Sequence, residues 1–149
     1  MDIVLHPPLF ASLAAAQGAL MPVWRWPHFS IVELACRCRG RFCKAEYWHA
    51  PEFLDALEAL RAKSGRPLIL NSGHRCAQWN AFVGGAPASM HKTLAVDISL
   101  AGHDRQALLR SARETRFTGL GFGRSFLHVD RRKRPAHWYY HGSRTLWET

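Results

Sequence analysis

No stretch of this 149-residue chain supplies the roughly 18 to 20 uninterrupted apolar residues that a bilayer-spanning helix needs. A membrane span is therefore not part of its design. Internal repeats and low-complexity tracts are also missing, which excludes solenoids and compositionally biased linkers. Acidic residues are scarce, with 11 Asp and Glu against 20 Lys and Arg, so the formal charge is +9. That imbalance calls for a polyanionic partner. Nucleic acid would satisfy it, and so would a carboxylate-bearing wall polymer such as peptidoglycan. Nothing aromatic alternates with the one basic run, Arg131-Arg132-Lys133-Arg134, so it reads as a solvated turn and not as a base-stacking surface. The apolar stretch from Leu9 to Leu20 has no Lys or Arg before it and is interrupted by Gln17 and Gly18. It does not read as an export signal.

What is present suits one globular domain. A hydrophobic fraction of 48% and a charged fraction of 21% are ordinary for a soluble fold with a single core. Pro7, Pro8, Pro22 and Pro27 punctuate the start, and Trp24-Arg25-Trp26 suggests a segment lying across the surface, so residues 1–28 are expected to form an N-terminal arm and 29–149 the domain. Ser30 and Glu33 form a capping-box pattern before a short helix over 31–35. Phe53, Leu54, Leu57 and Leu60 recur at helical spacing between Pro51 and Gly65, predicting a helix over 51–63. Strands are expected near 67–71, 94–100, 118–122, 125–130 and 136–140, with helical turns at 78–83 and an amphipathic helix over 104–116. Helices come first and antiparallel strands later, which predicts an α+β fold, a small antiparallel sheet flanked by helices.

Four ordered blocks carry the chemistry: Asn71-Ser-Gly-His-Arg-Cys76, Gly84-Gly-Ala-Pro-Ala-Ser-Met-His91, Leu94-Ala-Val-Asp97 and Phe126-Leu-His-Val-Asp130. Together they resemble the zinc D-alanyl-D-alanine carboxypeptidase family, which includes phage endolysin peptidases and shares its metal-site layout with the hedgehog signalling domain. The resemblance runs from about Phe29 to Tyr140. It implies one catalytic zinc held by His91, Asp97 and His128, a ligand set that fits zinc's taste for imidazole and carboxylate and leaves a fourth position open. It also implies hydrolysis of amide bonds in peptidoglycan stem peptides or cross-links. The wall peptide would be the partner and anionic wall polymer a secondary one, with nucleic acid set aside. Without an export signal, such a substrate would be reached after phage-type release or delivery. A binding module whose catalysis has lapsed is the alternative.

By the same resemblance Arg75 would contact a substrate carboxylate or carbonyl oxygen, for which a guanidinium fork is suited, and Ser89 would hydrogen-bond the substrate. The sequence departs from the family pattern in two places. His91 and Asp97 are six positions apart where seven is usual, a shortening that the loop has to absorb. Ser125 stands where many relatives carry a carboxylate three residues before the last ligand. Asp130, two residues beyond His128 and so on the same face of a strand, is the candidate general acid/base, with a role in orienting His128 as the alternative. His74 and His137 are reserves. Trp138-Tyr139-Tyr140 reads as packing or as the floor of a peptide groove.

Cys36, Cys38, Cys43 and Cys76 admit three readings: a structural zinc, one or two disulfides, or reduced thiols. Cys-x-Cys departs from the usual Cys-x2-Cys knuckle.

Overall fold

The computed structural model describes residues 8–148. Thirteen helices and strands follow one another: β1 (Leu9–Phe10), α1 (Leu13–Leu20), α2 (Ile31–Leu34), β2 (Tyr47–Trp48), α3 (Pro51–Ser64), β3 (Leu70–Ser72), α4 (Ala77–Phe82), β4 (Val96–Ser99), α5 (Arg105–Glu114), β5 (Gly119–Phe122), β6 (Phe126–Asp130), β7 (Ala136–Tyr139) and α6 (Arg144–Trp147). The result is a mixed α+β arrangement, a five-stranded sheet flanked by helices. Among the described residues no helix is long and apolar enough to cross a membrane.

Local chemistry fixes the helices where the sequence placed them. Ser30 and Glu33 form both halves of the capping box at α2, each satisfying an amide that the first turn leaves unpaired. Pro51 opens α3 and Gly65 closes it at φ +68°, a left-handed conformation that costs glycine little. Phe53, Leu54, Leu57 and Leu60 are all buried. Asp104 caps α5 through Ala107 N at 2.8 Å, and Leu108, Leu109 and Ala112 are buried along it.

The N-terminal segment differs from the expected arm in what it forms. β1 pairs antiparallel with β2, Ser12 caps α1, and Ala16, Leu20 and Trp26 belong to the same core cluster as α3 and the sheet. Trp26 Nε1 donates to Asp55 on α3 at 2.8 Å. The apolar run 9–20, short of proline inside it, thus has a hydrophobic surface to bury and a helix with which to bury it. Of this segment, residues 1–7 lie outside the described part.

The large sheet has the order β3-β4-β6-β5-β7. Its first three neighbour pairs are antiparallel, but β7 runs parallel to β5. This corrects the expectation of a wholly antiparallel sheet. β5 and β6 form a hairpin, and the chain then crosses to the far edge of β5 and runs in the direction of β5. The 3.6- and 2-residue periodicities specify element type; they carry no information about which edge a later strand takes.

Register is what matters for function. Asp97 of β4 lies directly across from His128 of β6, His128 from Gly121 of β5, and Gly121 from Trp138 of β7. One transverse row therefore brings residues 41 positions apart in sequence onto one face, since partners in register share a face. Neighbouring rows point the other way, where Val96, Ile98, Leu120, Phe122, Leu127 and Val129 fill the core.

Gly73 shows how tightly the segments close. A Cβ there would sit 2.5 Å from the Leu34 carbonyl oxygen and 2.8 Å from Leu34 Cα, backbone atoms that cannot rotate away. By contrast, Gly18 lies exposed inside α1 with open space around it. We expect Gly73→Ala to destabilise the fold by about 1–3 kcal/mol and Gly18→Ala to stabilise it by about 0.5–1 kcal/mol. Urea unfolding midpoints should move in opposite directions for the same added methyl group.

Candidate metal centre and active site

His91 is carried by a 3-10 turn, Met90–Lys92, which Ser89 caps by accepting from His91 N at 3.1 Å. Asp97 and His128 come from β4 and β6. His91 Nε2 lies 3.1 Å from Asp97 Oδ1, His128 Nδ1 lies 3.0 Å from the same oxygen, and the two ring nitrogens are 3.1 Å apart. A zinc ion about 2.0–2.1 Å from each atom of a tetrahedral set separates its ligands by roughly 3.3 Å. The triangle found here has that size.

The shortened spacing is absorbed as the loop required. The 3-10 turn tightens the chain at His91, Leu94 and Ala95 are buried on the way to β4, and Asp97 still reaches its place opposite His128.

Hydrogen bonds on the far side of each ring decide what the inner atoms are. His91 Nδ1 donates to the Gly73 carbonyl at 2.7 Å, and His128 Nε2 donates to Asp130 Oδ2 at 2.7 Å. In the neutral tautomers this fixes, both inner nitrogens present lone pairs. Two lone pairs and a carboxylate oxygen then face one another in a buried space with no proton among them. Such a set requires a cation, and its donor chemistry fits zinc.

The charges agree. Burial alone would raise the Asp97 carboxyl, but the His128 and His91 imidazoles against it, which gain from a negative charge when they are protonated, outweigh burial and hold the group well below the usual carboxylate range. His128 behaves in the opposite sense: burial opposes its charge, yet Asp130 and Asp97 on either side raise its pKa. Positive charge is favoured at this point, whether as a proton or as a metal ion.

Asp130 stands behind the site and not in it. Its side chain is fully buried, it bonds His128, and it takes three further hydrogen bonds from Arg132, from the backbone N at 3.0 Å, Nε at 2.9 Å and Nη2 at 2.6 Å. It is absent from the lining of the cleft above the ligands. This geometry suits the orienting alternative. Gly119, across from Asp130 in β5, makes room for it, because a Cβ there would collide with the carboxylate.

The reserve histidines also fall outside the cleft. His74 is buried, with Nδ1 at 2.6 Å from the Thr93 carbonyl and Nε2 at 2.8 Å from Glu46 Oε1, a tie between the loop before β4 and the N-terminal half. His137 points to the opposite face of β7 from Trp138 and is exposed near Phe122.

The cleft itself holds about 690 Å³, within the range of small-ligand sites. Arg75 lines it, with Nη2 3.6 Å from Asp97 Oδ2 and Nη1 bonded to Asn80 Oδ1 at 3.3 Å. Ser89 and the 83–86 loop form one wall. Phe126, Trp138 and Tyr140 form another, so the aromatic segment at 138–140 divides between groove and packing, Tyr139 turning to Phe122. Trp138 lies 5.2 Å from the His128 ring and Arg132 stacks on it at 4.5 Å. Gly121 allows this: a Cβ would come within 2.8 Å of Tyr140 and 2.9 Å of Trp138.

Sequence reading missed several of these residues. Arg132, read within a solvated basic run, lines the cleft and holds Asp130, and the signal was there: His128, Asp130 and Arg132 alternate at the strand period. Gly119 and Gly121 alternate in the same way, and glycine inside a strand marks close approach by a neighbour. Asn80, buried beneath the 84–86 loop and donating to the Ala86 carbonyl at 2.9 Å, gave no such signal.

A family model described as Peptidase M15 matches residues 27–130. The chain belongs to the peptidase M15 family. No curated protein matches it. The matched span of this M15 domain contains all three candidate metal ligands, Arg75 and Asp130.

Replacing Asp130 by Asn keeps the shape but removes the charge that holds the His128 ring. Zinc affinity of Asp130→Asn should fall about 10- to 100-fold, measured by competition against a chromogenic chelator, while the far-ultraviolet circular dichroism stays that of the parent.

Proposed function

We propose that this M15 peptidase domain hydrolyses amide bonds in peptidoglycan stem peptides or their cross-links, using one zinc ion held by His91, Asp97 and His128. The observation that carries the reading is the buried triangle of two imidazole lone pairs and a carboxylate at the floor of a cleft, whose wall carries a guanidinium. Zinc bound there would act as a Lewis acid, polarising the scissile carbonyl and lowering the pKa of water towards about 7.

The remaining work falls to this chain's own side chains. Arg75, held by Asp97 and Asn80, directs its fork at a substrate carboxylate or carbonyl oxygen. Trp138, Tyr140 and Phe126 offer an apolar wall to the peptide and exclude water from it. Asp130 is a positioning residue: it holds the His128 tautomer and, through Arg132, braces Trp138. Among the described residues lining the cleft, Asp97 is the only carboxylate, so proton transfer to the leaving amine falls to a neutral donor. Tyr140 suits this, because its side chain lines the cleft and its phenol, which burial shifts further upward, is like any tyrosine protonated at neutral pH. The charge of +9 favours encounter with an anionic wall.

The test is hydrolysis of purified peptidoglycan followed by mass spectrometry of the fragments. The zinc-loaded protein should release new amino groups, and a chelator should abolish the release. Arg75→Lys, which keeps the charge but loses the fork, should lower kcat/KM about 10- to 100-fold. A folded, zinc-loaded protein that frees no amino groups would return the chain to the binding-module reading.

A further inference from the structure

We infer that Cys36, Cys38, Cys43 and Cys76 hold a second zinc ion, a structural tetrathiolate site that fastens the N-terminal half of the domain to the loop after β3 that bears Arg75. The four sulfurs all lie within 4.8 Å of one another, with Cys38 Sγ and Cys43 Sγ 3.5 Å apart. Zinc–sulfur bonds of about 2.3 Å place the corners of a tetrahedron about 3.8 Å apart. The sulfurs carry no disulfide bond, and Cys36, Cys38 and Cys76 are buried with Trp79 packed against them.

Hydrogen bonding distinguishes this cluster from four idle thiols. Each sulfur accepts a different backbone N–H: Cys36 from Cys76 N at 3.4 Å, Cys38 from Phe42 N at 3.5 Å, Cys43 from Glu46 N at 3.5 Å and Cys76 from Trp79 N at 3.4 Å. A neutral thiol is a weak acceptor, whereas a thiolate is a strong one. Four amides aimed at four sulfurs describe a pocket built for negative sulfur, and four thiolates this close repel unless a cation lies between them. The chain turns sharply to reach this arrangement: Arg39 and Ala45 take φ of +59° and +57°, conformations that cost a non-glycine residue energy unless something compensates.

Binding is balanced as four thiols and one Zn²⁺ giving a tetrathiolate of charge −2 and four protons released to solvent. The ligand-bearing stretch 36–44 carries Arg37, Arg39, Arg41 and Lys44 and no acid, which offsets that charge. Three separate segments meet at the ion: the exit of α2, the loop before β2 and the N-cap of α4. Cys76 directly follows Arg75, so the ion would fix the backbone from which the guanidinium reaches into the cleft.

The site is tested by metal count, independently of hydrolysis. Elemental analysis should find two zinc ions per wild-type chain, one in the His91→Ala/His128→Ala variant, and one in Cys43→Ser, with a lowered Tm in the last. Cobalt reconstitution of His91→Ala/His128→Ala should give thiolate-to-cobalt charge-transfer bands in the near ultraviolet. A mercurial thiol reagent should release one zinc from the native wild type as four thiols react. If Cys43→Ser does not fold, the cobalt spectrum and the mercurial titration still decide. The assignment is overturned by four freely reactive thiols with no metal in the folded His91→Ala/His128→Ala protein, by no titratable thiol before reduction, or by iron in place of zinc.

Discussion

Everything at the centre of this domain depends on one pairing register, that of β4 against β6. It sets Asp97 opposite His128 and so brings a carboxylate oxygen and an imidazole lone pair to 3.0 Å in a buried place. A slip of one residue in either strand would turn its own candidate ligand into the core and bring the neighbouring valine, Val96 or Val129, into the cleft. The hydrophobic rows on the opposite face, from Ile98 to Leu127 and Phe122, therefore guard the candidate metal centre without touching it. Core packing and ligand geometry are two faces of the same ladder.

Around that pairing the protein spends glycine where other folds spend side chains. Gly73 lets α2 and the end of β3 approach and lends its carbonyl to His91. Gly119 clears space for a fully buried carboxylate, and Gly121 lets two aromatic rings lie across the sheet beside His128. Gly85 leaves room for Asn80 and the Arg75 guanidinium. At Gly85, Gly119 and Gly121 the space that a Cβ would take is filled by a side chain that orients His128 or shapes the cleft, so rigidity is achieved by contact and not by bulk.

The buried charges follow the same logic. Asp130 would be costly alone in an apolar interior, but His128 and three bonds from Arg132 hold it ionised and below the usual carboxylate range despite its burial. The chain His91–Asp97–His128–Asp130–Arg132–Trp138 is continuous, running from the metal position to the aromatic wall. The orientation of the His128 ring and the aromatic wall of the cleft are thus mechanically joined.

Much of this was legible in the residues themselves. Helices α2, α3 and α5 follow from caps and apolar spacing, and the four ordered blocks carried the candidate ligands His91, Asp97 and His128 through their resemblance to a zinc peptidase family. Those are local or compositional facts. Tertiary structure alone decided the parallel return of β7, the burial of the N-terminal helix, the seat of Asp130 behind His128, the support that Asn80 gives Arg75 and the place of Trp138 in the cleft wall. Each depends on which strands become neighbours and at what register, and a one-dimensional pattern records the face a residue occupies but not what stands across from it.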